Sequence, residues 1–106
     1  IWRDQLQKEY DSINWIFKLN LTRPQIRIVD VQSFFGQWDP LLREMKFSKK
    51  LIAHHSWHIV LEILKHEMAH QLVSDRDLNE SGHGAIFKSI CQSMGVDHRR
   101  AKVATS

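Results

Sequence analysis

The sequence HEMAH at residues 66–70 decides the architecture of this chain, because it fits the pattern H-E-x-x-H inside a run with helical periodicity. Side chains four residues apart on a helix lie one turn apart on the same face, so His66 and His70 point in the same direction. Two imidazoles at this spacing can bind one metal ion, while Glu67, one position further round, can reach a water beside that ion. The pattern therefore predicts a helix that carries part of a metal site.

The predicted helix extends beyond this pentad, from about Ser56 to Val73. Apolar residues recur along it at spacings of three and four, which is typical of a helix with one face in the core. The stripe consists of Trp57, Val60, Leu61, Leu64, Met68 and Leu72. We expect the pentad to lie beside the stripe, at the edge between core and solvent.

A third metal ligand is expected after the pentad, because a catalytic zinc site has three protein ligands and leaves one position open. The longer pattern H-E-x-x-H-x-x-G-x-x-H does not fit, since Val73 and Arg76 occupy its glycine and its last histidine. The next histidine is His83, thirteen positions after His70 and between two glycines, which allow close backbone approach. The predicted zinc ligands are His66, His70 and His83. The alternatives are carboxylates of the intervening loop: Glu80 first, then Asp75 and Asp77.

Such a site would hydrolyse a peptide bond. Zinc lowers the pKa of bound water toward about 7, and Glu67 would take the proton of the attacking water and return it to the leaving amine. The sequence offers several oxyanion-stabilising candidates without a means of choosing among them: Tyr10, Arg76 and His98. Two alternatives stay open, a chance pentad without metal and a structural zinc. A structural zinc usually takes four protein ligands, often cysteines, and this sequence contains only Cys91.

The rest of the chain predicts an α+β fold, in which a small antiparallel three-stranded sheet packs on about three helices. The sheet is expected to be a meander, with its strands paired in chain order. Periodicity and turn residues place a first helix at residues 2–20, strands at 26–31, 34–38 and 43–47, a turn at 39–42, and a last helix from 83 or 84 to 94. Gly95 is a suitable stop for that last helix.

Length and composition indicate one domain over residues 1–106, with a formal net charge of +3 and a pI of about 9.3. This balance permits a nucleic-acid partner without requiring one, since the basic residues are scattered. No apolar run approaches the roughly 20 residues that span a bilayer. Residues 1–4 do not resemble a signal peptide, and the lone cysteine fits a reducing compartment. We expect an intracellular protein without a membrane role, in prokaryotic cytoplasm or a eukaryotic nucleus. The absence of an initiator Met fits a domain cut from a longer protein.

Three segments carry a more specific pattern. They are FGQWDP at residues 35–40, continued by Arg43, Met45 and FS at 47–48; LKHEMAHQ at 64–71; and GHGAIF at 82–87. Together they resemble SprT-like domains, whose last segment has the form G-H-G-x-x-F/W. The resemblance covers about residues 26–95.

The resemblance implies a zinc metalloprotease domain in which His66, His70 and His83 bind Zn²⁺ and Glu67 is the catalytic base. It implies, as substrates, proteins bound or crosslinked to DNA, and, as a partner, single-stranded or junction DNA. Many members carry a cysteine-rich zinc ribbon after the protease part, and a single cysteine cannot form one.

Three functions therefore remain open. The first is a zinc peptidase that degrades DNA-bound or DNA-crosslinked proteins, as in crosslink repair. The second is a general zinc peptidase without DNA dependence. The third is a DNA-binding or adaptor module with a vestigial metal site, which would be expected to carry a damaged pentad.

The identity of the third ligand is testable by substitution. We expect His83→Ala to weaken zinc binding by more than ~100-fold, beyond the loss typical of an outer-shell partner. Glu80→Ala should leave zinc affinity nearly unchanged. Competition with a chromogenic chelator measures both, and unchanged affinity in the His83 variant would contradict the assignment.

Overall fold

The computed structural model describes residues 1–76 and 83–98, which form four helices and three strands. In chain order the elements are α1 (Trp2–Ile16), β1 (Gln25–Val29), β2 (Gly36–Asp39), β3 (Glu44–Ser48), α2 (Lys49–His54), α3 (Trp57–Asp75) and α4 (Ala85–Ser93). The predicted α+β class, the pentad helix and the last helix are confirmed. The short helix α2 was not predicted, because a single turn and a half is too short to show a periodicity.

The sheet is mixed, with the strand order β1-β3-β2. β1 pairs in parallel with β3, and β2 pairs antiparallel with β3 on its other side. The predicted antiparallel meander is therefore wrong in its strand order and in the direction of the pair between β1 and β3. Residues 30–35 carry the chain past β3, a step of about 9.6 Å for two strand spacings, which a connection of this length easily spans. Alternation in the sequence identifies strands but does not say which strand a connection crosses.

α1 is shorter than predicted and ends at Ile16 rather than near residue 20. Lys18 and Asn20 adopt left-handed backbone conformations, with φ of 53° and 56°, which a helix cannot continue through. α4 ends at Ser93, and Gly95 follows its C-cap with a φ of 71°, as expected of a glycine that stops a helix. The amide of Val96 donates to the carbonyl of Cys91 at 2.9 Å, which closes the helix end in a Schellman arrangement.

α3 is buried on nearly all sides, because β2, α4, α1 and α2 all pack against it. Ser56 begins the helix, and its side chain accepts a hydrogen bond from the amide of Ile59. His66 and Glu67 are fully buried. The expectation that the pentad lies at the edge between core and solvent is therefore wrong for these two residues, because a helix covered from several directions has no single core face.

A buried polar network fixes α1 to α3. The Tyr10 hydroxyl donates to Gln71 Oε1 at 2.8 Å, and Gln71 Nε2 donates to the carbonyl of Thr22 at 2.9 Å and to Asp75 Oδ2 at 3.3 Å. Tyr10 and Gln71 are both completely buried. Burial raises the pKa of Tyr10 far above its ordinary value. The network satisfies polar groups that would otherwise destabilise the core.

Removal of the Tyr10 hydroxyl tests this network. We expect Tyr10→Phe to lower the free energy of unfolding at pH 7 by about 1–3 kcal/mol, because the buried Gln71 carbonyl oxygen loses a donor. Urea denaturation measures the change. An unchanged free energy would show that the bond contributes nothing to stability.

The raised pKa of Tyr10 predicts that the protein loses stability at alkaline pH. A folded-state pKa above the unfolded value of about 10 means that the stabilisation is complete below pH ~10 and is lost as pH rises further. Tyr10 is the only tyrosine of the sequence, so absorbance of phenolate reports it directly. We expect no phenolate in the folded protein at pH 10, and unfolding in urea should expose it. Titration near pH 10 in the native state would contradict the burial.

Candidate metal centre

Three histidines from two parts of the chain meet at one point. His66, His70 and His83 each offer a ring nitrogen, and these nitrogens lie within 4.8 Å of one another. Among residues 1–76 and 83–98 they form the one group of at least three His, Cys, Asp or Glu side chains placed to hold a metal ion. The structure thus brings together the residues that the sequence nominated, and their binding of a metal stays a prediction.

Each histidine is placed by its own local structure. His66 and His70 lie one turn apart on α3, with ring centroids 5.0 Å apart. His83 lies just before α4, whose N-cap is Gly84, and its centroid is 4.8 Å from that of His66 and 5.1 Å from that of His70. His66 is fully buried, whereas His70 and His83 are partly exposed. The cluster is therefore enclosed by protein at His66 and reaches solvent at His70 and His83.

Glu67 lies beneath strand β2, which passes unusually close to α3. A Cβ atom built on Gly36 would lie 3.1 Å from Glu67 Cγ and 3.3 Å from Glu67 Oε2. It would also lie 2.7 Å from Ile63 Cγ2, closer than real Cβ contacts come. Only glycine permits this approach, which places the side chain of Glu67 directly beside β2.

The donor set suits zinc. Among residues 1–76 and 83–98 the group consists of three imidazoles and no fourth ligand, which matches a catalytic site more closely than a structural one with four protein ligands. Among the described residues no cysteine reaches this group, since Cys91 is buried in α4 outside it. Burial raises the pKa of the Cys91 thiol to about 12, so it is a neutral thiol at physiological pH.

The other candidates lie elsewhere. Asp75 accepts two hydrogen bonds from the guanidinium of Arg43, at 2.7 and 3.1 Å, and is not part of the histidine group. Tyr10 is enclosed in the core and bound to Gln71, so it does not line an open site. Arg76 donates to the carbonyl of Leu19, and His98 lies 4.0 Å from Asp97. Glu80 and Asp77 lie outside the described residues.

Two positions have roles that the sequence reasoning missed. The segment FGQWDP includes Gly36 but does not predict its close approach to Glu67, and the sequence does not predict Gln71 as a member of the core network. The signal for Gly36 was its presence between bulky neighbours in a strand, where glycine often marks a close backbone approach. No local signal distinguishes the buried Gln71 from a surface glutamine.

Comparisons with known proteins agree with this fold. The family model described as "SprT-like family" matches residues 4–106. The crystal structure of the metallopeptidase zymogen of Pyrococcus abyssi abylysin is similar, with a TM-score of 0.71 and 13% identity, over 92% of this chain and 87% of that one. The metallopeptidase zymogen of Methanocaldococcus jannaschii jannalysin has a TM-score of 0.65 and 14% identity, over 82% and 78%. A comparison with curated protein sequences gave no match.

Within the described part of the chain, no helix combines the length and the apolar character that a membrane crossing requires.

The close approach at Gly36 predicts a specific energetic coupling. We expect Gly36→Ala to destabilise the protein by about 1–3 kcal/mol, because its methyl group overpacks against the branched carbon of Ile63. Because Ile63→Ala removes that carbon, Gly36→Ala should cost less in an Ile63→Ala background, with a coupling above ~0.5 kcal/mol in a double-mutant cycle.

Gly95→Ala is the control for this cycle. A Cβ at Gly95 meets nothing within 4 Å, although the φ of +71° strains any other residue. Its cost should therefore add to that of Ile63→Ala without coupling. Equal, additive costs for both glycines would contradict the contact between β2 and Ile63.

Proposed function

Because this chain belongs to the SprT-like family, and because three histidines converge beside a buried glutamate, we propose that it is a zinc-dependent metalloendopeptidase. The observation that carries the proposal is that His83, which precedes α4, lies beside His66 and His70 of α3. A chance H-E-x-x-H on a helix needs no third histidine from another element. A group of three histidines open on one side is what a hydrolytic zinc site requires.

The proposed roles follow from position. His66, His70 and His83 would hold the ion, which when bound supplies a Lewis acid that polarises a carbonyl and makes water more acidic. Glu67 would accept the proton of the attacking water at its carboxylate and deliver it to the leaving amine. The close approach of β2 at Gly36 leaves this carboxylate little room on that side, which would help to define its position before substrate binds.

The similar solved structures support a peptidase, since both are described as metallopeptidase zymogens. Their identities of 13% and 14% are low, so the support for activity comes from the agreement between that fold and the histidine group of this chain. The third function considered above, a module with a vestigial metal site, is not favoured, because the three histidines remain together.

As the substrate class we propose proteins bound or crosslinked to DNA. The net charge of +3 supports contact with nucleic acid. Lys49 and Lys50 are exposed at the start of α2 and provide a local basic surface. Such contacts to phosphates would weaken as salt is raised.

A general peptidase without DNA dependence is the second candidate, and one observation favours it. Four arginines of the described residues are paired with carboxylates: Arg3 with Asp4, Arg23 with Asp11, Arg27 with Glu44, and Arg43 with Asp75. These pairs reduce the positive charge that is available to a phosphate backbone.

Cleavage of a basic DNA-binding protein by the zinc-loaded protein, with and without single-stranded DNA, separates the two candidates. Cleavage only with DNA supports the DNA-associated substrate class, and equal cleavage without DNA supports a general peptidase. Absence of cleavage in both, with zinc bound, would contradict the proposed peptidase.

The role of Glu67 has its own test. We expect Glu67→Gln to keep zinc affinity, because the three ligands remain, and to lower turnover by about 10²–10⁴-fold, because the proton acceptor is lost. Glu62→Gln is a matched control on the same helix, where Glu62 pairs with His58 at 2.8 Å. Loss of activity in both variants would point to a structural effect and not to a general base.

A further inference from the structure

We propose that Phe87 is a positioning residue of the metal centre, whose ring sets the orientation of the imidazoles of His70 and His83. The proposal rests on the proposed function, because it assumes that these histidines bind a metal. It adds a residue that neither binds the ion nor touches the substrate, and that acts only through the ligands.

One aromatic ring contacts the whole group. Phe87 stacks on His83 with ring centroids 4.5 Å apart and planes inclined by 10°, and on His70 at 4.3 Å and 28°. Its contact with the third histidine, His66, is edge-on, at 5.1 Å and 74°. Phe87 is completely buried, so its own ring is held by the core.

The two stacked histidines are the ones that need a restraint. The terminal torsion of a histidine side chain is broad and selects no single ring orientation. His70 and His83 are partly exposed, so solvent leaves room for rotation on one side. A flat ring at stacking distance limits that rotation, because an imidazole that turns out of the stacked plane drives its edge into the phenyl face.

The stack also joins separate elements. His70 belongs to α3, whereas His83 precedes α4, and Phe87 lies in the first turn of α4, four positions after His83. Docking of α4 on α3 through Phe87 therefore brings the third histidine to the other two. A ligand set oriented in advance loses less freedom when the ion binds, which raises affinity.

The expected effect lies in metal affinity more than in stability. Outer-shell partners of metal-binding histidines typically change affinity by about 10–100-fold, and we expect a loss in this range for Phe87→Leu, which keeps an apolar side chain but removes the flat face. Phe87→Trp keeps an aromatic face and should recover most of the affinity. Phe47→Leu is the matched control, because Phe47 is equally buried, in β3, and makes none of the ring contacts with the histidines.

The experiment compares the four proteins by zinc affinity in chelator competition, by the visible absorption spectrum with Co²⁺, and by urea unfolding without metal. Without metal, we expect Phe87→Leu and Phe47→Leu to lower the free energy of unfolding by similar amounts. Weakened zinc binding and an altered Co²⁺ spectrum should occur in Phe87→Leu alone, with recovery in Phe87→Trp. If Phe87→Leu does not fold, the Phe87→Trp and Phe47→Leu variants still test the proposal. A Co²⁺ spectrum of Phe87→Trp that differs from that of the wild-type protein would overturn it.

Two results distinguish the ways in which the argument can fail. Zinc affinities of Phe87→Leu and Phe47→Leu that differ by less than about twofold would overturn the positioning role and leave the peptidase proposal intact. A wild-type protein that binds neither Zn²⁺ nor Co²⁺ would overturn both.

Discussion

Burial of polar side chains on α3 is the constraint on which the structure depends. His66, Glu67 and Gln71 are completely buried on a helix whose other buried residues are apolar. An uncompensated polar group in such a place costs several kcal/mol on an apolar-transfer scale, roughly 2–7. The elements packed against α3 must therefore supply polar partners or a bound ion as well as apolar surface. Tyr10 and the Thr22 carbonyl do so for Gln71, and the three histidine nitrogens are arranged so that an ion can do so at the pentad.

The same constraint explains how remote segments serve one site. β2 approaches α3 so closely that Gly36 has no room for a side chain beside Ile63 and Glu67. Further along β2, Trp38 Nε1 donates to Ser74 Oγ at 2.8 Å, which attaches the strand to the end of α3. The turn after β2 is attached there too, since Arg43 pairs with Asp75 and lies 5.4 Å from the centroid of the Trp38 ring. This ion pair is partly exposed, so its geometry contributes more than its energy.

Local patterns predicted the parts of this protein that depend on local physics. Helical spacing located α3 and α4, the left-handed glycine at residue 95 marked the end of α4, and proline and aspartate marked the turn after β2. The pentad and the Gly-His-Gly segment nominated the histidines that meet in the structure. The strand order was predicted wrongly, and the burial of His66 and Glu67 was missed, because both depend on which elements pack together and not on any one segment.

The sequence by itself determined the chemistry that is available: two histidines one helical turn apart, a glutamate beside them, and a third histidine between glycines. Those follow from helix geometry and residue type, which are properties of short segments. Only the tertiary structure decided that His83 reaches the pentad, that Gly36 lies close to Glu67, and that Phe87 stacks on two of the histidines. The physical reason is that these contacts join residues distant in the chain, and their distances are set by the close packing of β2 and α4 on a shared helix.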